Sequence, residues 1–205
     1  MSTAAGDKSI LEQYLAAIDA AQSTLYFENQ FFGSLQILER VEAALARGVE
    51  VVCVVPIVAM EEIRRTRMHP AAAEYYARQA ALGGHQRFTL VGLSHASGPG
   101  RYADVYVHAK MLLVDDAWAT IGSANLIARS FHGDTELNAS FWHGPTVKTL
   151  RTALFAEHLG IDTAGLDDRT ALERFAGVAR ANRTRRQQGQ PLEGLAIALD
   201  PADYP

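Results

Sequence analysis

The chain has 205 residues, 48 % of them apolar, and a formal charge of −4. That is enough for one α/β domain with a sizeable core, and it gives no global pull toward nucleic acid or anionic lipid, although a local basic groove is compatible with it. The single cysteine, Cys53, excludes an intramolecular disulfide, and no apolar run approaches the ~18 residues of a membrane span.

The first residues, "MSTAAGDK" (1–8), read as a disordered start without a basic-then-apolar signal pattern, so the chain as written is expected to be soluble and cytoplasmic. If it is a fragment, its parent belongs to the secreted or membrane-associated proteins as readily. Ile10, Leu11, Tyr14, Leu15 and Ile18 fall at helical spacing, with Ser9 placed to cap. "STLYFENQFF" is β-rich, and "SLQILERVEAALARG" is an amphipathic helix closed by Gly48. "VEVVCVVP" is a continuous apolar run of strand length, typical of a strand covered on both faces, with Cys53 as a core thiol. Strand, helix and strand in about 30 residues make a βαβ unit and predict a partly parallel sheet.

"MEEIRRTRMHPAAAEYYARQAAL" is helical with a break at Pro70; "RFTLVGL" is a strand, and "SHASGPG" a loop. Three strands follow, in "YADVYVHAKMLLVD", "AWATIGSAN" and "TELNASFW", and then the helix "PTVKTLRTALFAEHLG", ended by Gly160. Residues 9–160 thus form one domain. Residues 161–205 read as a C-terminal extension, a helix that frays into the polar, basic run Arg180–Gln188 and an irregular tail.

Side chains alternate along a strand, so His108 and Lys110 project to one side and Val107, Ala109 and Met111 to the core. The strand turns at Asp115–Asp116 and returns to Gly122-Ser123-Ala124-Asn125, where glycine permits a close backbone approach. The Ser123 hydroxyl and the Asn125 amide are thereby brought toward His108 and Lys110. Glu136, Asn138 and Ser140 share one face of the next strand, and Glu136 is expected to accept the imidazole N–H of His108. This is the inventory of a phosphate site needing no metal or cofactor. A lysine supplies charge, a serine and an asparagine supply directed donors, and a histidine serves as nucleophile or acid.

His108-x-Lys110, Asp115 and Gly122-Ser123-Ala124-Asn125 together resemble the HKD motif of the phospholipase D superfamily, with Glu136 where that family carries the acidic residue that orients the histidine. "YFENQFF" (Tyr26–Phe32) and "ALARGVEVVCVVP" resemble the start of the C-terminal half of two-motif phospholipases and cardiolipin synthase-like proteins. The similarity covers roughly residues 10–160. It implies an α/β sandwich, a mixed central sheet with helices on both faces, and a metal-independent phosphodiesterase or transphosphatidylase that works through a phosphohistidine.

The family's site takes two motifs, and this chain has one. The resemblance therefore implies a half-site, completed by a second half or a second copy, with His108 as the general acid/base in the first case and in either role in the second. It also implies Lys110, Ser123 and Asn125 as phosphate ligands and Glu28, Asn29 and Gln30 as pocket floor, with His132 able to line the pocket. Asp115 belongs to the motif's catalytic set, yet alternation turns it from the His108 face, toward a role in bonding the turn. Arg64, Arg65 and Arg67 read as a solvated face. A phospholipid substrate with peripheral membrane contact is expected. A homodimeric nuclease, disfavoured by charge, and a catalytically incomplete half-domain are the alternatives.

Overall fold

A computed structural model describes residues 6–205, so the expected disordered start lies largely outside the described residues. Helix α1 (Ser9–Ala20) begins with Ser9 inside it rather than capping it; the Ser9 N–H donates instead to Asp7 Oδ1 at 2.8 Å. Strand β1 (Thr24–Asn29), helix α2 (Leu35–Ala46) and strand β2 (Glu50–Val54) form the expected βαβ unit. Every residue of β1 and β2 is buried, which is why the β2 stretch reads as apolar without alternation, while β1 buries Thr24, Glu28 and Asn29 as well. Helix α2 buries Ile37, Leu38, Val41, Ala44 and Leu45, and Gly48 leaves it at φ +89°, a conformation glycine adopts without a Cβ penalty.

Helix α3 (Glu61–Thr66), a single 3₁₀ turn at Pro70–Ala72 and helix α4 (Ala73–Leu82) lead to β3 (Phe88–Gly98). β3 runs through the segment expected to be a loop and pairs antiparallel with β4 (Arg101–Val105) across Pro99–Gly100, where Gly100 takes φ +65°. β5 (Lys110–Val114), β6 (Trp118–Gly122), helix α5 (Ala128–His132), β7 (Asn138–Phe141) and helix α6 (Gly144–Leu159) follow, and then helix α7 (Asp168–Gln187) and β8 (Ala196–Ala198).

The strands form one mixed sheet in the order β4-β3-β2-β1-β5-β6-β7, with β8 also on β3. β1, β2 and β3 are parallel, and the other pairings are antiparallel. One core joins the sheet to α1, α2 and α4, and a second joins its other face to α6 and α7.

Two expectations are corrected by this topology. "YADVYVHAKMLLVD" is not one strand. β4 pairs with β3 at one edge while β5 pairs with β1 in the middle, so residues 106–109 leave the sheet and cross its end. Nor is the C-terminal segment a frayed tail. Leu172, Phe175 and Ala179 of α7 are core residues, and β8 pairs with β3. The arginines of the basic run are tied down, Arg180 to Gln86 O and Thr89 Oγ1, Arg183 to Asp200, Arg185 to Glu193 and Arg186 to Asp104.

Candidate active site

Strand order reverses at β1, since β2 and β3 lie to one side and β5, β6 and β7 to the other. The carboxyl end of a strand at such a point is where open α/β sheets form their clefts. A cavity of about 370 Å³ opens there, lined by Gln30, His108, Lys110, Gly122, Ser123 and Asn125.

Lys110 opens β5 opposite Asn29 of β1, and the residue is 7 % exposed. Its Nζ donates to Gln30 Oε1 at 3.1 Å and to the His108 carbonyl at 2.8 Å. Burial lowers its pKa, and the nearby Glu136 carboxylate opposes that shift. His108 stands on the crossing segment two residues earlier, exposed, while Val107 and Ala109 turn into the α6–α7 core. The alternation expected of a strand thus holds where no strand forms. Gln30 also donates from Nε2 to Tyr106 Oη at 2.8 Å, and the Tyr106 ring lies at 27° to that of His108 with centroids 6.3 Å apart. Tyr106 was not singled out from the sequence; its position two residues before His108 on the same side was the available signal.

Gly122 ends β6 against the start of β7. A Cβ there would collide with Asn138 Oδ1 and the Leu137 carbonyl, so the close approach requires glycine. Asn29, fully buried, lies just beneath. Its Oδ1 accepts from Leu126 N at 3.2 Å and Phe31 N at 3.0 Å, and its Nδ2 donates to Ala124 O at 3.4 Å. Asn29 thereby fixes the loop that carries Asn125. Asn125 Oδ1 is buried without a hydrogen bond among the described residues, which leaves Nδ2 as the amide atom offered to the cavity.

Three expected placements, those of Glu136, Glu28 and His132, are not those found. Glu136 precedes β7, and its carboxylate accepts from the Ser123 hydroxyl; among the described residues no hydrogen bond joins it to His108. The single Ser123 hydroxyl proton is thus already engaged. Glu28 is not pocket floor, because strand neighbours face opposite ways. It points into the α6–α7 core, where it accepts from Tyr26 Oη at 2.6 Å and His158 Nε2 at 2.9 Å, all three residues being buried. His132 is exposed at the end of α5 and does not line the cavity. Asp115 lies at the opposite end of β5 from Lys110. Its carboxylate accepts from Gln22 N at 2.8 Å, Ser23 N at 2.9 Å and Thr24 N at 2.7 Å, fixing the entry to β1. Asp115 and Asp116 turn the β5–β6 hairpin at φ +52° and +48°, a region aspartate tolerates better than most residues. Asp116 holds the buried Arg151 of α6 through two bonds of 2.6 and 2.8 Å. Arg64 and Arg65 bond Glu61 on their own exposed helix.

Residues 14–158 match the family described as cardiolipin synthase, PLD-like domain, and the chain belongs to that phospholipase D-like family. It is 29 % identical to phospholipase D zeta 1 of Arabidopsis thaliana over 239 aligned positions, which cover 86 % of this chain and 22 % of that protein. It is 27 % identical to a cardiolipin synthase of Listeria welshimeri, over 74 % of this chain and 28 % of that one. The chain therefore spans about a quarter of the length of these two relatives. Among solved structures, NucT from Helicobacter pylori shares the fold at TM-score 0.53 and 14 % identity, covering 71 % of this chain and 84 % of that chain.

Proposed function

We propose that this domain supplies one half of a phosphodiester-cleaving site for phospholipids, completed by a second histidine from another half or a second copy. The observation that carries this reading is the make-up of the cavity. One exposed imidazole, one buried ammonium, the Ser123 hydroxyl and the amides of Gln30 and Asn125 meet in an open recess, and among the described residues no second imidazole lines it.

In a completed site one imidazole nitrogen attacks phosphorus, and the phosphorus–oxygen bond to the leaving alcohol breaks. The other imidazolium gives that oxygen its proton. In the second step the neutral imidazole takes a proton from water or an alcohol, whose oxygen attacks phosphorus as the P–N bond of the phosphohistidine breaks and frees the first imidazole. His108 is the acid/base partner when the other half belongs to the same longer protein, and takes either role in a symmetric pair. Lys110 and Asn125 hold the non-bridging oxygens, where charge builds up. Gln30 holds Lys110 in place, and Asn29 holds the loop of Asn125. Glu136 acts through Ser123 and the field at Lys110.

The relatives named for phospholipid chemistry and the net charge of −4 both favour a lipid phosphodiester over nucleic acid. No helix among the described residues is long and apolar enough to cross a membrane, so contact with lipid is taken to be peripheral. The test is a side-by-side assay of phosphatidylglycerol or phosphatidylcholine vesicles and of single-stranded DNA, with wild type and His108→Ala. Lipid cleavage or headgroup exchange that is lost in the variant supports the reading; cleavage of DNA alone replaces it with the nuclease.

A further inference from the structure

A larger cavity, of about 750 Å³, opens at the other end of the sheet, where the parallel strands β2 and β3 begin. Its walls are Glu50 of β2, the turn of residues 83–88 between α4 and β3, one side of α7, and the segment after β8. None of these residues takes part in the His108 site.

Glu50 is 4 % exposed as a residue, and its carboxylate opens onto this cavity, where among the described residues it makes no hydrogen bond and no ion pair. Arg87 is exposed at the cavity rim, and among the described residues its guanidinium makes no hydrogen bond or ion pair. Arg180 is anchored through Nη2 to Gln86 O at 2.7 Å and Thr89 Oγ1 at 2.8 Å, with no carboxylate on it. Glu173 faces the same space unpaired, and Arg183 is held by Asp200 at 3.1 Å. The cavity therefore places Arg87 and Arg180, which no carboxylate bonds among the described residues, near Glu50 and Glu173, which no cation bonds directly, although Arg87, Arg169 and Arg180 attract Glu50 from a distance.

A proton-free anion meets the arginines but is repelled by Glu50 and Glu173, and a cation meets the reverse. An anion that keeps an acidic proton answers both. We propose that this cleft binds a phosphate monoester, whose oxygens accept from Arg87, Arg180 and Arg183 while one proton is shared between Glu50 and a phosphate oxygen.

The proton affinities agree with that geometry. Burial, reinforced by Glu173, pushes the Glu50 carboxyl up to about 7 against the attraction of Arg180, Arg169 and Arg87. The second ionisation of a phosphate ester lies near 6, so close to neutrality the pair holds one proton between two similar acceptors. The groups facing Glu50 are Glu173, Arg169, Arg180 and Arg183 from α7, His85 and Arg87 from the turn before β3, and Asp200 after β8. The volume leaves room for the esterified group.

The test is calorimetric titration of the 205-residue chain carrying Lys110→Met, which removes the cation of the other cavity. Inorganic phosphate and glycerol 1-phosphate should bind, sulfate should bind about tenfold more weakly, and Arg87→Ala should weaken phosphate by about tenfold or more. Glu50→Gln donates to either anion, so it should lose the preference for phosphate over sulfate. It should also lose the decline of phosphate affinity that wild type shows above about pH 7, where the shared proton leaves. Phosphatidylcholine vesicles with and without phosphatidate separate the sources. Binding of the soluble esters marks a free monoester, and Arg87-dependent capture by phosphatidate vesicles alone marks a lipid headgroup; either supports the proposal. If Lys110→Met does not fold, the same titration on wild type is read by NMR at the amides of Gly83–Arg87 against those of Gly122–Asn125. The proposal is overturned by absence of both soluble and vesicle-borne binding, by sulfate binding as well as phosphate, or by binding that Arg87→Ala leaves intact.

Discussion

Lys110 sits under conflicting demands, since it must stay charged to hold a phosphate and is buried to be held in place. Burial lowers its pKa and Glu136 opposes the shift. If the cation is needed for turnover, the alkaline limb of the rate profile falls below the ordinary lysine range near 10.4. Glu136→Gln removes the opposing field, lowers the Lys110 pKa further and moves the limb to lower pH. A pH–rate profile of both proteins in the active assembly checks this; a limb that stays put or rises would show that Glu136 does not act on Lys110. Asp115 predicts a different outcome. Its carboxylate accepts three backbone N–H groups at the entry to β1, far from the cavity. Asp115→Asn should cost about 1–3 kcal/mol of stability and leave the rate per folded molecule near wild type. Denaturant unfolding paired with a rate measurement tests it, and a collapse of rate without loss of stability would put Asp115 into the chemistry.

At the scale of elements, the site depends on the close approach of β6 and β7 at Gly122. Gly122→Ala places a methyl against Asn138 Oδ1 and the Leu137 carbonyl, and should cost about 1–3 kcal/mol through overpacking as well as disturbing Ser123 and Asn125. Thermal unfolding of the variant reads the effect; an unchanged midpoint would mean that the approach is softer than described. The alternation that sets His108 and Lys110 on one side was legible in the sequence, because it is a property of extended chain whether or not a ladder forms. The break between β4 and β5 was not. Tyr102 to Val114 reads as one extended run, and only the pairing partners, β3 for one part and β1 for the other, divide it. The same rule of alternation could have separated Glu28 from its neighbour Asn29; the likeness of the whole "ENQ" stretch to a known motif hid it. The pairing of Ser123 with Glu136 was hidden for another reason, since two loops decide it and neither has a periodicity to read.

For the whole molecule, α7 and β8 complete the fold. The sequence reading stopped the domain at residue 160 because the family resemblance ends there, and the partners that tie down the arginines of α7, Gln86 and Asp104 far back in the chain and Glu193 and Asp200 beyond the helix, carry no pattern to read. A chain truncated after Gly160 exposes the face of β1 and β2 that Leu172, Phe175 and Ala176 cover. It should therefore lose its cooperative thermal transition, as calorimetry would show, and a truncated chain that still melts cooperatively would restore the shorter domain.

The central claim is that one chain holds half of a phosphodiester site. The most direct test is the rate of phospholipid cleavage per chain, measured across protein concentrations at which sedimentation gives the fraction of monomer and dimer. The account predicts no turnover by the monomer, with activity appearing in proportion to dimer or only when a second histidine-bearing half is added. Full turnover by a monomer, independent of concentration and abolished by His108→Ala, would contradict it.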